Sequence, residues 1–361
     1  MINPETPVGE LGERAIVKHI RSRIPAGAGV EIGIGDDAAA VETGPITLIT
    51  TDCLVEGVHF LREWAPARLV GRKALTINLS DIAAMAGVPR HATVSLCLPP
   101  DVPFGWVDGL YDGLLERSAE TGVSIVGGNL SLSTSQIVVA VTLLGQGEKL
   151  LRRAGAVPGD LVVVSGALGA AAAGLKLMMQ GARLDPDGYL HKTGVWTESS
   201  AHAVTHCLRA LLDPNPPLAF ARALAEQEIV HAAMDLSDGL SGDLRLMCDE
   251  SDVSAWVDAN ALPIDASAAS LERARGGDAA ALALHGGEDY QLLLALPREK
   301  LDALRDVAVI WDIPTTVIGE FAPGPSALLL KKGGSLLPLT SQAHDHFQGR
   351  GTGGGEPATQ A

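Results

Sequence analysis

Apolar positions along this chain recur in two periods, and the alternation between them lays out its elements. Between Glu10 and Ile24, the residues Leu11, Ala15, Ile16 and Ile20 return at helical spacing, and Pro25 closes the helix they predict. Ile46–Thr51 is a short apolar run of strand length that delivers Thr50-Thr51-Asp52 at its end. From Pro66 to Ala86 the helical period resumes, with Leu69, Ala74, Ile77 and Ile82 on a buried face and Asn78 and Asp81 set among apolar neighbours. His91–Leu98, Val123–Val126 and Gln136–Leu144 predict strands, and Trp106–Thr121 a helix. The turn-rich stretch Arg152–Asp160 then interrupts the pattern. Beyond it come strands at Leu161–Val164, Ile229–Met234, Val253–Val257, Gln291–Leu296, Thr316–Ile318 and Ala327–Leu330. An Ala-rich helix and helices at Ala201–Leu212, Leu218–Gln227, Ser241–Ser251 and Arg298–Val307 lie among them, and the polar segment from Arg183 to Ser200 reads as a loop.

Helices interposed between most strands predict an α/β (α+β) fold, with helices packed on one face of a mixed sheet in the first half. A chain of 361 residues suits two domains. The junction places them at residues 1–150 and 151–347, with the Gly-rich residues 348–361 as a disordered tail. Hydrophobic content of 47% with only 4% aromatics means Ala, Leu and Val, which suit close-packed helices on sheets. Leu161–Met179 approaches the length of a membrane span. Ser165-Gly166 splits it, however, Gly169 and Gly174 weaken it and Lys176 sits inside, so a strand, a glycine turn and a helix are expected.

Charge narrows the partners. A formal net charge of −16 argues against nucleic acid and anionic membrane, both of which require clustered Lys and Arg. It also repels phosphorylated ligands unless cations intervene. The four cysteines form no C-x-x-C, which points to reduced thiols and no structural zinc. The opening M-I-N-P-E-T-P lacks a basic start followed by an apolar run, so a cytoplasmic protein without a signal peptide is expected.

The candidate chemistry is acidic. Asp36 and Asp37 in G-I-G-D-D, Asp52 in T-T-D, Asp81 in N-L-S-D-I, and Asp235 and Asp238 in D-L-S-D-G-L all stand in or beside apolar sequence. A carboxylate there is costly to bury unless paired or bound to metal. A single one serves as readily as a helix cap or turn residue. Several together point to a shared polyacidic site for a hard cation such as Mg²⁺, which takes carboxylates, waters and phosphates as ligands. Gly127-Gly128 and Gly286-Gly287 read as glycine pairs at strand ends, able to bring backbone N–H groups to a phosphate, though each is equally consistent with a plain turn. Neither G-x-x-x-x-G-K-[ST] nor a G-x-G-x-x-G after a strand is present, so ATP would bind by another route.

Taken in order, G-I-G-D-D-A-A, T-T-D-C-L-V-E-G-V-H-F, K-A-L-T-I-N-L-S-D-I-A-A-M-A-G, I-V-G-G-N, R-A-G-A-V-P-G-D, D-L-S-D-G-L and H-G-G-E-D-Y resemble the thiamine-monophosphate kinase family. That family is a branch of the aminoimidazole ribonucleotide synthetase-like superfamily, and the resemblance runs from Gly9 to Phe347. It implies the two-domain aminoimidazole ribonucleotide synthetase-like fold, with an N-terminal domain for ATP, Mg²⁺ and dimerisation through its sheet. It implies ATP-dependent phosphorylation of thiamine monophosphate to thiamine diphosphate, several Mg²⁺ ions, ATP as co-substrate and a homodimer. By motif, Asp37, Thr50, Thr51, Asp52, Asp81, Asp235 and Asp238 would hold magnesium. Gly128, Asn129, Arg153 and Ser237 would contact ATP, and His59, Glu288 and His344 the thiamine phosphate. Asp36 is read as supporting its turn and Asp289 as structural. Two positions depart from the family pattern: Asn129 stands where many members carry Asp, and His344 where many carry an aromatic ring. Other readings are another ATP-using member of the superfamily, or a binding protein that kept the fold without catalysis.

Overall fold

The computed structural model describes residues 3–11, 13–25, 27–32, 40–44, 46–191 and 198–342. Asp36, Asp37, His344 and the predicted tail lie outside the described residues.

In the first half, helices α1 (Val8–Leu11) and α2 (Glu13–Arg23) lead to a small hairpin of β1 (Val30–Ile32) and β2 (Ala40–Val41). Then follow β3 (Thr47–Val55), α3 (Ala67–Ala84), β4 (Val88–Leu98), α4 (Phe104–Thr121), β5 (Ser124–Leu132) and β6 (Val138–Gln146). The strands form a four-stranded mixed sheet in the order β3-β6-β4-β5, with β4 and β5 parallel and the other pairs antiparallel. Two-residue alternation governs it: Val139, Val141 and Leu143 of β6 are buried while the residues between them are half-exposed.

Two strand boundaries differ from the sequence expectation. Thr50-Thr51-Asp52 does not end its strand. β3 continues to Val55 because β6 pairs with it residue by residue, from Thr47 opposite Gln146 to Val55 opposite Val138. Gly127-Gly128 lies inside β5, which runs on to Leu132. A Cβ at Gly128 would stand 2.1 Å from the Val94 carbonyl oxygen, so glycine there lets β5 close onto β4.

The second half contains β7 (Leu161–Ser165), α5 (Ala170–Met179), α6 (Glu198–Leu212), α7 (Leu218–Glu226), β8 (Ala232–Asp235), α8 (Leu240–Ser251) and β9 (Ser254–Asp258). These are followed by α9 (Ala266–Ala274), α10 (Ala279–His285), β10 (Leu292–Leu296), α11 (Leu301–Trp311), β11 (Thr315–Ala322), β12 (Leu328–Lys332) and β13 (Ser335–Pro338). Seven strands pair in the order β13-β12-β9-β11-β7-β10-β8. β7, β8 and β10 are buried along their whole length. One face packs Val162, Val164 and Leu293 against Leu240 and Leu244 of α8, and the other packs Val163, Leu292 and Leu294 against Phe220 of α7 and Leu304 of α11. That burial on both faces explains why these strands read as continuous apolar runs. The membrane-length segment divides into β7 and α5 as expected, and no helix among the described residues is long and apolar enough to cross a membrane. Gly286-Gly287 follows helix α10 instead of ending a strand.

Helix α3 joins the two halves. Fifteen of its eighteen residues are buried. Gly71 and Gly113 let it cross α4 closely, since a Cβ at Gly113 would stand 1.8 Å from the Arg68 carbonyl oxygen. One apolar cluster then runs from Leu79, Val141 and Leu143 through α3 to Leu177 of α5 and Val204 of α6.

Candidate active site

The acids meet where α3 passes between the two sheets. Asp52 is on β3, on the same side of the sheet as Thr50 and the buried Leu48 and Leu54, which is the side α3 covers. The Thr50 hydroxyl donates to Asp81 Oδ2. The adjacent Ser80 on α3 donates its hydroxyl to Asp235 Oδ2 at 2.7 Å, reaching the end of β8 in the other half. Neighbouring residues on a helix point about 100° apart, so Ser80 and Asp81 serve two domains from one turn.

These carboxylates raise one another. Asp52 is pushed from 3.8 to about 6, first by burial and then by Asp81 and Asp238. Asp235 is also pushed to about 6, by burial and then by Asp81, with the Ser80 hydroxyl and Arg153 acting in the opposite direction. Asp81 is raised by burial, opposed by its Thr50 hydrogen bond and by Arg153. Asp52, Asp81, Asp235 and Asp238 thus share one field, with Arg153 as a cation that acts on it. Asp243, which the sequence reading passed over, lies behind this site. It is buried, accepts from the backbone N–H groups of Asp238 (3.2 Å) and Gly239 (3.1 Å), and is pushed to about 8 by burial and by Asp235 and Asp238.

The motifs D-L-S-D-G-L and H-G-G-E-D-Y are joined backbone to backbone. Glu288 N–H donates to the Ser237 carbonyl at 2.7 Å, Tyr290 N–H to Leu236 at 2.8 Å, and Leu236 N–H to Gln291 at 2.8 Å. A Cβ on Gly287 would stand 2.4 Å from the Ser237 oxygen. Glu288 and Tyr290 take positive φ values of 65° and 50°, a left-handed backbone that non-glycine residues rarely adopt and that collects at functional sites. Between them, both Asp289 carboxylate oxygens accept the Gly169 N–H at 3.0 Å, at the N-terminus of α5, a structural role as the sequence reading expected. Lys73 of α3 is buried and pairs through Nζ with Glu288 Oε1 at 2.7 Å. Burial and then Glu288, Asp235, Asp52 and Asp238 push the Tyr290 phenol up. Lys73 and Tyr290 carried no signal of this in the sequence, because a lysine in a helix and a tyrosine after a turn have no visible partner.

Not every predicted residue reaches the cluster. The Thr51 hydroxyl lies on the opposite face of the sheet, bonded to the Val141 carbonyl (3.2 Å) and the Thr142 hydroxyl (3.1 Å). Asp52, Val141, Val94 and Gly128 stand in one row across the sheet. Gly128 and Asn129 are therefore three strands from Asp52, roughly 14 Å at the usual strand spacing. They border a small cleft with Ile20 and Tyr111. His59 sits in the loop after β3, where its Nδ1 accepts the Val55 N–H at 3.0 Å and so carries no proton. Ser237 and Asp238 are in the joined loops, and Arg153 is exposed beyond β6.

The donor set is one of hard oxygens, which suits magnesium. Among the described residues no three His, Cys, Asp or Glu side chains converge closely enough to cage a metal unaided. Magnesium that keeps waters and takes phosphate oxygens needs only one or two carboxylates, so the residues present fit that ion.

The fold and the joined loops define a two-domain AIR synthase related protein. The N-terminal domain model of that family matches residues 35–146 and its C-terminal domain model residues 157–330. The thiamine-monophosphate kinase of Aquifex aeolicus is 34% identical over 302 residues, 83% of this chain and 91% of its own length. The solved thiamine-monophosphate kinase of Stenotrophomonas maltophilia superposes with a TM-score of 0.75 at 33% identity, over 89% of this chain and 96% of its own. A solved complex of AaThiL with AMPPCP and TMP gives 0.71 at 30% identity, over 94% and 99%. The chain belongs to the AIR synthase related family, in its thiamine-monophosphate kinase branch.

Proposed function

We propose that this chain phosphorylates thiamine monophosphate at the expense of ATP, yielding thiamine diphosphate and ADP. The observation that carries the reading is the set of raised carboxylates Asp52, Asp81 and Asp235, contributed by β3, α3 and β8, tied through Thr50 and Ser80 and flanked by the two joined loops. The acceptor's phosphate oxygen is anionic near neutral pH, so a strong general base is unnecessary. The work left to the protein is in-line positioning and control of charge between two polyanions. Several Mg²⁺ ions, when bound, would supply that charge neutralisation. Asp52, Asp81 and Asp235 would hold them, with Asp37, Thr50 and Asp238 as further ligands and Thr51 through its backbone carbonyl only, since its hydroxyl faces away. Gly128, Asn129, Arg153 and Ser237 would hold ATP, Arg153 supplying a fixed positive charge. His59, Glu288 and His344 would hold thiamine monophosphate.

We propose residues 1–150 as the ATP- and magnesium-binding domain, its site completed by Arg153, Asp235, Ser237 and Asp238 of the second half, and we assign the chain as a cytoplasmic homodimer that binds neither nucleic acid nor membrane. The face of the four-stranded sheet away from α3 supports the dimer: it carries Ile49 at 69% exposure, with Thr51 and Cys53 also exposed beside it on β3. The charge of −16 supports the exclusions.

The test is direct. Purified protein is mixed with ATP, MgCl₂ and thiamine monophosphate, and thiamine diphosphate is followed by fluorescence after oxidation to its thiochrome form, with an EDTA control. Product that requires both magnesium and acceptor is expected. Asp52→Asn should lower turnover at least about 100-fold with an unchanged circular dichroism spectrum, by removing a ligand charge. A folded protein that binds ATP and forms no product would overturn the kinase reading, and near-normal turnover by Asp52→Asn would overturn the metal assignment.

A further inference from the structure

Helix α3 makes two polar contacts to the second half along one side. Ser80 bonds Asp235 at 2.7 Å, and Lys73, two turns earlier, pairs with Glu288 at 2.7 Å. Seven residues at 1.5 Å rise separate these anchors by about 10 Å along the axis. Asp235 is held at the acid cluster, and Lys73 anchors Glu288 at a second point on the same side of the helix. A carboxylate held apart from the phosphate-binding acids suits one that meets the other end of an elongated acceptor.

Lys73 differs from an ordinary surface partner. Its side chain is 5% exposed, whereas that of Glu288 is 31% exposed. Buried lysine is rare unless paired, because desolvating an ammonium is costly. The bland reading is a structural tie between domains. One residue away, Arg72 already provides such a tie to Asp213 at 2.8 Å. The Lys73 pair instead ends on a partly open carboxylate in a left-handed backbone position whose N–H is fixed to Ser237. With the backbone set, the side-chain torsions of Glu288 remain free, and Lys73 fixes them by engaging Oε1.

We propose that Lys73 is a positioning residue that holds Glu288 as the reader of the amine-bearing end of the acceptor, opposite its phosphate. The inference rests on the kinase reading above and on the assignment of Glu288 to the acceptor. It places acceptor selectivity partly in the first domain, on a residue that does not itself touch the acceptor.

The experiment is steady-state kinetics on the full chain, varying thiamine monophosphate at saturating ATP and then the reverse. The variants are Lys73→Met, Lys73→Arg, Glu288→Gln and the double variant Lys73→Met/Glu288→Gln. Lys73→Met should raise KM for thiamine monophosphate at least tenfold, with kcat and KM for ATP changed less than threefold. Lys73→Arg should recover most of the loss. The double variant should be no worse than Glu288→Gln alone, because a positioning residue has nothing left to position. Loss of one partner of a buried ion pair destabilises a fold; if Lys73→Met does not fold, the double variant, which lacks both charges, decides by the same comparison. An acceptor KM unmoved by Lys73→Met, an equal effect on both substrates, or additive effects in the double variant would overturn the proposal while wild-type turnover persists. Absence of wild-type turnover would overturn the kinase reading itself.

Discussion

Asp235 is 4% exposed and has its carboxyl pushed to about 6, against an ordinary 3.8; Asp52, though its side chain is exposed, is also pushed to about 6. A carboxyl whose pKa is higher folded than unfolded holds its proton more tightly in the folded state. Its contribution to stability is therefore complete below about pH 4 and is lost as pH rises through about 6. For Asp235 the loss is on the order of 3 kcal/mol. A divalent cation that binds only the folded, ionised site offsets this by mass action. In EDTA, the melting temperature should fall between about pH 4 and 6.5, and Asp235→Asn should flatten that fall. Added magnesium should raise the melting temperature more at pH 7 than at pH 5. A pH-independent magnesium effect in calorimetry would contradict the shared acid site. At this scale the sequence was informative wherever chemistry repeats, as in the recurrent Asp residues beside apolar runs. It was uninformative for Lys73, Tyr290 and Asp243, whose significance comes from partners more than a hundred positions away or across a turn. Thr51 shows the limit of adjacency, since two-residue alternation sends its hydroxyl away from the acids that its neighbours Thr50 and Asp52 face.

Among elements, α3 carries the most. Its Arg72 and the Arg117 of α4 converge on Asp213, just beyond α6, at 2.8 and 2.5 Å, and both arginines are buried. Asp213→Ala removes the shared acceptor and leaves two buried guanidinium groups partly unpaired. It should cost about 3 kcal/mol, the low end for breaking a buried pair, because Glu120 still meets both arginines. Urea denaturation measures this, and a loss below about 1 kcal/mol would mean that the network is not a structural tie. The central helices and strands of the chain were legible because their apolar periods are strong. Helices α9 and α10 were not, because A-S-A-A-S-L-E-R-A and A-A-A-L-A-L-H offer alanine with little polar contrast. Their N-cap signals were available, however: Asp265 accepts from Ala268 N–H and Asp278 from Ala280 N–H, each at 2.9 Å. Strand ends were misjudged where the cause was a neighbour, as with β3 drawn out by β6 and β5 continued through Gly128 along β4.

For the whole molecule, the proposed dimer rests on the sheet face that α3 does not cover. Ile49→Asp places a charge on the edge strand of that face and should convert the proposed dimer to monomer in light scattering while leaving the melting temperature of the isolated fold nearly unchanged. A wild-type protein that is already monomeric would remove the dimer. The two-domain α/β architecture was legible from the alternation of elements and from the motif series. The way the halves meet was not, because a helix buried on several sides has the same period as one buried on a single side.

The sharing of α3 between two cores also bears on how the chain is made. Arg72 and Arg117 emerge from the ribosome 141 and 96 residues before Asp213, the acid that they share. At 5–20 residues per second, the first half exists for on the order of ten seconds as a nascent segment whose two arginines lack their shared Asp213 and whose apolar helix face has nothing to pack against. During that interval a chaperone or a protease meets a surface that the finished protein never shows.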